Sequence, residues 1–155
     1  MSHLASRVRG QKQPRVFLSY AYTDIDRAHK IRELLRRLGI QVFLREDLSA
    51  GENWQPKLRK ALEDAEVFVA LLTPWSIADS WLLQETGAAW GLKKPIIPLV
   101  ARQDILDRFP IQLRSYPALD LKELDTPEGS ERFAEGLRQA LAESQGSSRF
   151  TYVER

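Results

Sequence analysis

A doubly wound α/β domain, a parallel sheet covered by helices on both faces, is the fold class that three observations predict. Four short apolar runs are nearly continuous rather than alternating, as strands buried on both faces are. Helix-period stretches lie between them. The chain, 155 residues with 43% hydrophobic content, is long enough for one core and too short for two.

The strand-like runs are RVFLSY (15–20), IQVFLR (40–45), EVFVALL (66–72) and KPIIPLV (94–100), mostly rich in β-branched or aromatic side chains. Between them the helical stretches are Asp24–Leu38, closed by Gly39, then Trp54–Asp64 and Asp79–Leu92. In the first, Ile31, Leu34, Leu35 and Leu38 recur at the spacing of a core-facing stripe, and Asp24 is the candidate N-cap. After Val100 the pattern thins. SYPALDL (115–121) is read as a fifth short strand, and Pro127–Ser144, with Phe133, Leu137, Ala140 and Leu141, as a closing helix. Residues 1–14, where Arg7, Arg9 and Lys12 precede any acid, read as a flexible basic tail. The domain proper is expected over 15–143, and 144–155 as a tail or linker to a further module.

Composition excludes several function classes. Lysine and arginine number 23 against 21 acids, a formal charge of +2, and the isoelectric point of about 9.0 reflects that small excess, so nucleic acid gains no support. No window approaches the roughly 18–20 apolar residues of a membrane span, and nothing near the basic tail has the apolar run expected of a signal peptide. A cytoplasmic location without membrane contact is therefore expected. The chain has no cysteine and two histidines, His3 and His29, which leaves no ready zinc cluster or Ser/His/Asp triad. Eight scattered glycines form neither a dinucleotide fingerprint nor a phosphate loop.

One helical stretch carries an anomaly. In ADSWLLQETGAAWGL (78–92), Ala78, Trp81, Leu82, Ala88, Ala89 and Leu92 fall on one stripe at about 100° per residue, with Glu85 near its middle. An unpaired buried carboxylate costs several kcal/mol, so such a residue is satisfied, protonated or facing a hollow. Ligands of open parallel sheets bind outside the carboxyl ends of the strands, which gives weight to the loops Ser19–Asp24, Arg45–Trp54 and Thr73–Ser80. Glu85 lies some 9 Å along its helix from Asp79, close to that edge.

These residues resemble the Toll/interleukin-receptor (TIR) domains, especially the bacterial ones, over roughly Arg15–Leu141. RVFLSYAYTD looks like the family's first strand and loop, and QVFLREDLSAGENW is similar to its second strand and long loop. LLTPWS and SWLLQETGAAWGLKKPIIPLV follow in order at family-like spacing. The resemblance implies a flavodoxin-like, five-stranded parallel sheet flanked by helices. It implies cleavage of the nicotinamide–ribose bond of NAD⁺, a substrate rather than a cofactor, with no metal. Ser80, Trp81 and Glu85 match the Ser-Trp segment and the glutamate four residues beyond the aromatic, which implies that Glu85 is catalytic and that Trp81 and Ser80 bind substrate. Tyr20, Tyr22, Arg45 and Trp54 are further candidates for lining the pocket. Arg45 stands where many members carry an acid, and the loop is one residue shorter than theirs.

Nicotinamide leaves a pyridinium as a neutral molecule, so no general acid is required. The demand is on positive charge developing at the ribose, which a fixed carboxylate in a water-poor pocket stabilises. Attack by water gives ADP-ribose, and attack from within the substrate gives a cyclic ADP-ribose isomer. The family reading further implies bacterial antiviral defence and activation by head-to-tail homo-oligomerisation, through a loop containing Leu48, Gly51 and Asn53 beside Trp54. The rival reading is a scaffold that signals by TIR–TIR association without chemistry, for which Leu83 and Trp90 form a second apolar helix face. A phospho-acceptor or nucleoside-transferring domain of similar topology fits less well, since the strands end in LSY and LLT rather than acids.

Overall fold

The structure is a computed structural model that describes residues 13–48, 53–114 and 117–153, with side chains through Ala142 in the last helix. Its strands are β1 (Arg15–Ser19), β2 (Gln41–Phe43), β3 (Val67–Leu72), β4 (Ile96–Val100) and β5 (Leu119–Asp120). They form one sheet in the order β2-β1-β3-β4-β5, every pair parallel. The helices are α1 (Ile25–Arg37), α2 (Trp54–Asp64), α3 (Ser80–Gly91) and α4 (Pro127–Val153). The order reverses at β1 and β3, so the crevice typical of such sheets falls between their carboxyl ends.

Side chains alternate across each strand, and both faces are covered. Val16 and Leu18 of β1, with Val67, Val69 and Leu71 of β3, pack under Ile31 and Leu35 of α1 and Phe133 and Leu137 of α4. Phe17, Phe68, Ala70 and Leu72 face the other way, toward Leu62 of α2 and Leu82 and Ala89 of α3. This two-sided burial is why the strands read as unbroken apolar runs. By the same alternation Ser19, at the end of β1, projects from the α3 face. Its partner in register is Ala70 of β3.

Several boundaries differ from expectation. Pro14 accepts a hydrogen bond from the Gln41 amide at 2.9 Å, so the sheet edge begins inside the stretch expected to be a tail, while residues 1–12 lie outside the described residues. The backbone remains helical to Val153, past Ser144, where a tail or linker is expected. The weak pattern after Val100 corresponds to 3₁₀ turns at Gln103–Arg108 and Ile111–Arg114, which cover the sheet with Ile105, Phe109 and Leu113. Such short turns carry no long period to read. No described helix is long and apolar enough to cross a membrane.

Two helices end in the same device. After α1, Gly39 at φ 81° lets its own amide reach the Arg36 carbonyl at 3.0 Å and the Ile40 amide reach Leu35 at 2.9 Å, the paired bonds of a Schellman turn. After α3, Lys93 takes the equivalent position at φ 60°, with the Lys93 amide on Trp90 and the Lys94 amide on Ala89, both at 3.0 Å. A residue with a Cβ is strained in this region by about 1 kcal/mol or more. Gly39→Ala, whose Cβ would meet nothing within 4 Å, should therefore cost about 1 kcal/mol through the backbone alone. Lys93→Gly should gain about 0.5 kcal/mol once the greater freedom of glycine in the unfolded chain is set against the relief. Urea unfolding of both variants checks the two opposite signs.

Candidate active site

Glu85 is 2% exposed, so the anomaly in the sequence is a genuine buried carboxyl group. The face of α3 turned to the sheet consists of Leu82, Glu85, Thr86 and Ala89. The expected stripe is thus rotated: Trp81 is 37% and Leu92 43% exposed, and Ala88 is also exposed. Thr86 tolerates burial because its hydroxyl donates to the Leu82 carbonyl at 2.7 Å. The helix is started by Asp79, whose Oδ1 accepts from the Leu82 amide at 2.9 Å, and this fixes the register that points Glu85 at β1.

One oxygen of Glu85 is satisfied and the other is not. Oε1 accepts from the Ser19 hydroxyl at 2.6 Å and from Arg45 Nη1 at 3.0 Å. Oε2 is buried without a hydrogen-bond partner. Burial pushes the Glu85 carboxyl above its ordinary value, and the Ser19 hydrogen bond and the Arg45 charge pull it back only in part. The desolvated carboxylate is therefore a high-energy form, the state in which it interacts most strongly with any cation that arrives.

Arg45 comes from the turn that follows β2. Asp47 closes that turn by accepting from the Leu44 amide at 2.9 Å, and its other oxygen takes Arg32 of α1 at 2.7 Å. Glu46 pairs with His29 of α1. Held at this point, the Arg45 side chain, 16% exposed, reaches across to Glu85. Its Nη2 donates to the Tyr20 carbonyl at 3.2 Å, and its Cζ lies 5.3 Å from the ring centroids of both Tyr20 and Trp81. Trp54, first residue of α2, meets Trp81 edge-on at 5.1 Å. The Arg45 guanidinium thus stands where a hollow beside Glu85 was expected.

Of the site residues expected from sequence, Glu85, Arg45, Tyr20, Trp81 and Trp54 form one connected cluster. Ser80 and Tyr22 are exposed, Tyr22 to 77%, and neither enters that set of contacts. In the assembly loop, Leu48 ends the turn after β2 and Asn53 is exposed before α2, whereas Gly51 lies outside the described residues. Two buried groups were not foreseen. Ser19 holds Glu85, and the one available signal was its place on the Phe17 face of β1. Asp24 makes no side-chain cap to α1. It is buried at the crevice, where its Oδ2 accepts from the Thr73 hydroxyl at 2.6 Å, joining the loops after β1 and β3. Two cavities among the described residues, of about 380 and 580 Å³, lie elsewhere, the larger between α1 and the Leu121–Asp125 turn.

A doubly wound domain with an acid buried at its switch point defines a class; comparison with known proteins narrows it. A profile described as TIR domain matches residues 16–141, and the chain belongs to the TIR domain family. Its structure is similar to the TIR domain of the Toll-related receptor TRR-2 from Hydra magnipapillata, at 21% identity and TM-score 0.64 over 79% of this chain and 97% of that one. It is similar to the TIR domains of the activated Roq1 resistosome, at 16% identity and TM-score 0.53 over 85% and 83%. A 2-desoxiribosyltransferase from Leishmania mexicana shares the fold at 13% identity and TM-score 0.57 over 81% and 97%. No curated protein matches the chain.

Because the folded carboxyl titrates above the unfolded one, the native state binds the extra proton between the two values. Its contribution to stability is therefore lost as pH rises from the ordinary 4.5 through the raised value. Glu85→Gln, which keeps an acceptor for Ser19 and removes the charge, should melt at or above wild type at neutral pH. The difference between the two melting temperatures should widen as pH is raised from 4.5, measured by calorimetry in a pH series.

Proposed function

We propose that this TIR domain is an NAD⁺ glycohydrolase in which Glu85 stabilises the ribosyl cation as nicotinamide leaves. The observation that carries the reading is a carboxyl group 2% exposed, at the carboxyl edge of the sheet, with one oxygen held and the other unpartnered. Ser19 orients the group through Oε1, which leaves Oε2 for the reacting sugar. Burial strengthens the attraction to positive charge that exists mainly in the transition state, and that difference is what accelerates the reaction. Trp81, one helical turn before Glu85 and 37% exposed, offers a ring against which a flat base or pyridinium packs, worth about 1–3 kcal/mol by comparison with base stacking, while the buried Tyr20 ring lies under the Arg45 guanidinium. Water as the attacking group gives ADP-ribose; a substrate atom folded back over the Trp81 ring gives a cyclic ADP-ribose isomer. The reaction then serves bacterial antiviral defence, either by depleting NAD⁺ or by supplying a signalling product.

A scaffold without chemistry is the second reading, favoured by two features. The Glu85–Arg45 pair is already formed, and the indoles of Trp75 and Trp90, 59% and 58% exposed, are available for contact with a second copy. The two readings meet if assembly is what opens the site.

Glu85→Gln should lower NAD⁺ cleavage at least about 10²-fold, the effect of removing one charge-stabilising group, in a variant that melts at or above wild type. Nicotinamide release, followed by chromatography, should grow faster than linearly with protein concentration. An unchanged rate in the folded variant removes Glu85 from the chemistry, and no release at any concentration leaves the scaffold.

A further inference from the structure

On the reading that Glu85 meets a substrate cation, we propose that Arg45 is an internal competitor for that cation's place, and that the domain turns over only when the arginine side chain is withdrawn. The guanidinium has a carboxylate oxygen at 3.0 Å on one edge and the aromatic rings of Tyr20 and Trp81 at equal distance, 5.3 Å from Cζ. A flat cation held by one acid and two π-systems is a complete recognition set. The reacting half of NAD⁺ is also a flat cation, a pyridinium whose glycosidic carbon acquires charge, and it needs the same acid and the same rings. Two cations cannot occupy that set together. Arg45 therefore lowers the energy of the empty site and raises the cost of filling it.

The arrangement also allows release. Glu46 and Asp47 tie the turn to His29 and Arg32 of α1, so the backbone at Arg45 is fixed independently of Glu85. The side chain is 16% exposed, so part of it already meets solvent, and its rotatable bonds can move it without the backbone. A second copy of the chain that offered an acid near Arg45 would draw it out, which would couple turnover to assembly.

The test uses the full chain with Arg45→Ala, and with Arg45→Met to retain the packing of the stem. 1-Methylnicotinamide, methylated on the ring nitrogen and so a pyridinium without a cleavable sugar, is titrated against tryptophan fluorescence. NAD⁺ turnover is read on the alkaline plateau of each variant's pH profile, because loss of the arginine charge raises the Glu85 carboxyl further. Both variants should bind 1-methylnicotinamide about tenfold tighter than wild type and raise kcat/KM for NAD⁺ by a similar factor. Arg45→Lys, which keeps the charge and loses the planar stack, should fall between. Unchanged or weaker pyridinium binding overturns the proposal. Loss of turnover in the Ala and Met variants while wild type remains active also overturns it, and makes Arg45 part of the grip on substrate. Tighter pyridinium binding with no NAD⁺ cleavage in any form upholds the competitor and removes the glycohydrolase reading.

Discussion

A carboxyl group deprived of water must be answered by the protein, and the way Glu85 is answered organises the crevice of this domain. Its partners come from segments distant in sequence: Ser19 at the end of β1, 66 positions away, and Arg45 after β2, 40 positions away. The contact is possible because β1 is an interior strand, with β2 on one side and β3 on the other, so the carboxyl ends of these strands meet at the switch point. Asp24 and Thr73, themselves buried and bonded, hold the neighbouring loops at the same edge. Moving any of these elements would strand a desolvated charge, a cost comparable to the whole stability margin of a small domain.

The same contact is chemically ambivalent. An acid raised in energy by burial and half satisfied by hydrogen bonds is suited to a transient sugar cation, whereas an acid paired with arginine is neutralised. Both descriptions apply to Glu85, to different oxygens: Oε1 carries the pairing and Oε2 carries none. The aromatic rings around the arginine sharpen the point, since Tyr20 and Trp81 stabilise a guanidinium by the same quadrupole attraction that would hold a pyridinium. On the glycohydrolase reading, a closed resting domain and an active one are two occupancies of one site rather than two folds. For a family in which association and chemistry coexist, this gives association something physical to act on.

The fold was largely legible in the sequence because parallel strands buried on both faces produce continuous apolar runs, and because Gly39 marks a helix end that φ 81° requires. The charged member of the site was legible for the converse reason: Glu85 breaks a periodic stripe. What surrounds it was not. Ser19 is an ordinary strand-end serine until its partner in α3 is known, and Arg45 is expected at the pocket with nothing in the sequence to show that its guanidinium turns onto the acid. The stripe of α3 was misplaced because hydrophobicity alone ranked Trp81 and Leu92 above Thr86, whose hydroxyl is satisfied within its own helix. Beyond Ser144, the Gly-Ser composition suggested a linker. A single glycine costs a helix only about 1 kcal/mol, and the backbone stays helical to Val153.

The most direct measurement is the titration of Glu85 itself, followed by the side-chain carboxyl carbon shift in protein labelled with ¹³C-glutamate and assigned by comparison with Glu85→Gln. The expected result is a midpoint displaced upward from 4.5, the mark of a carboxyl group whose loss of water outweighs its hydrogen bonds and its arginine. A midpoint at or below that value would contradict the account, since it would describe a well-solvated or fully neutralised acid with nothing left to offer a cation.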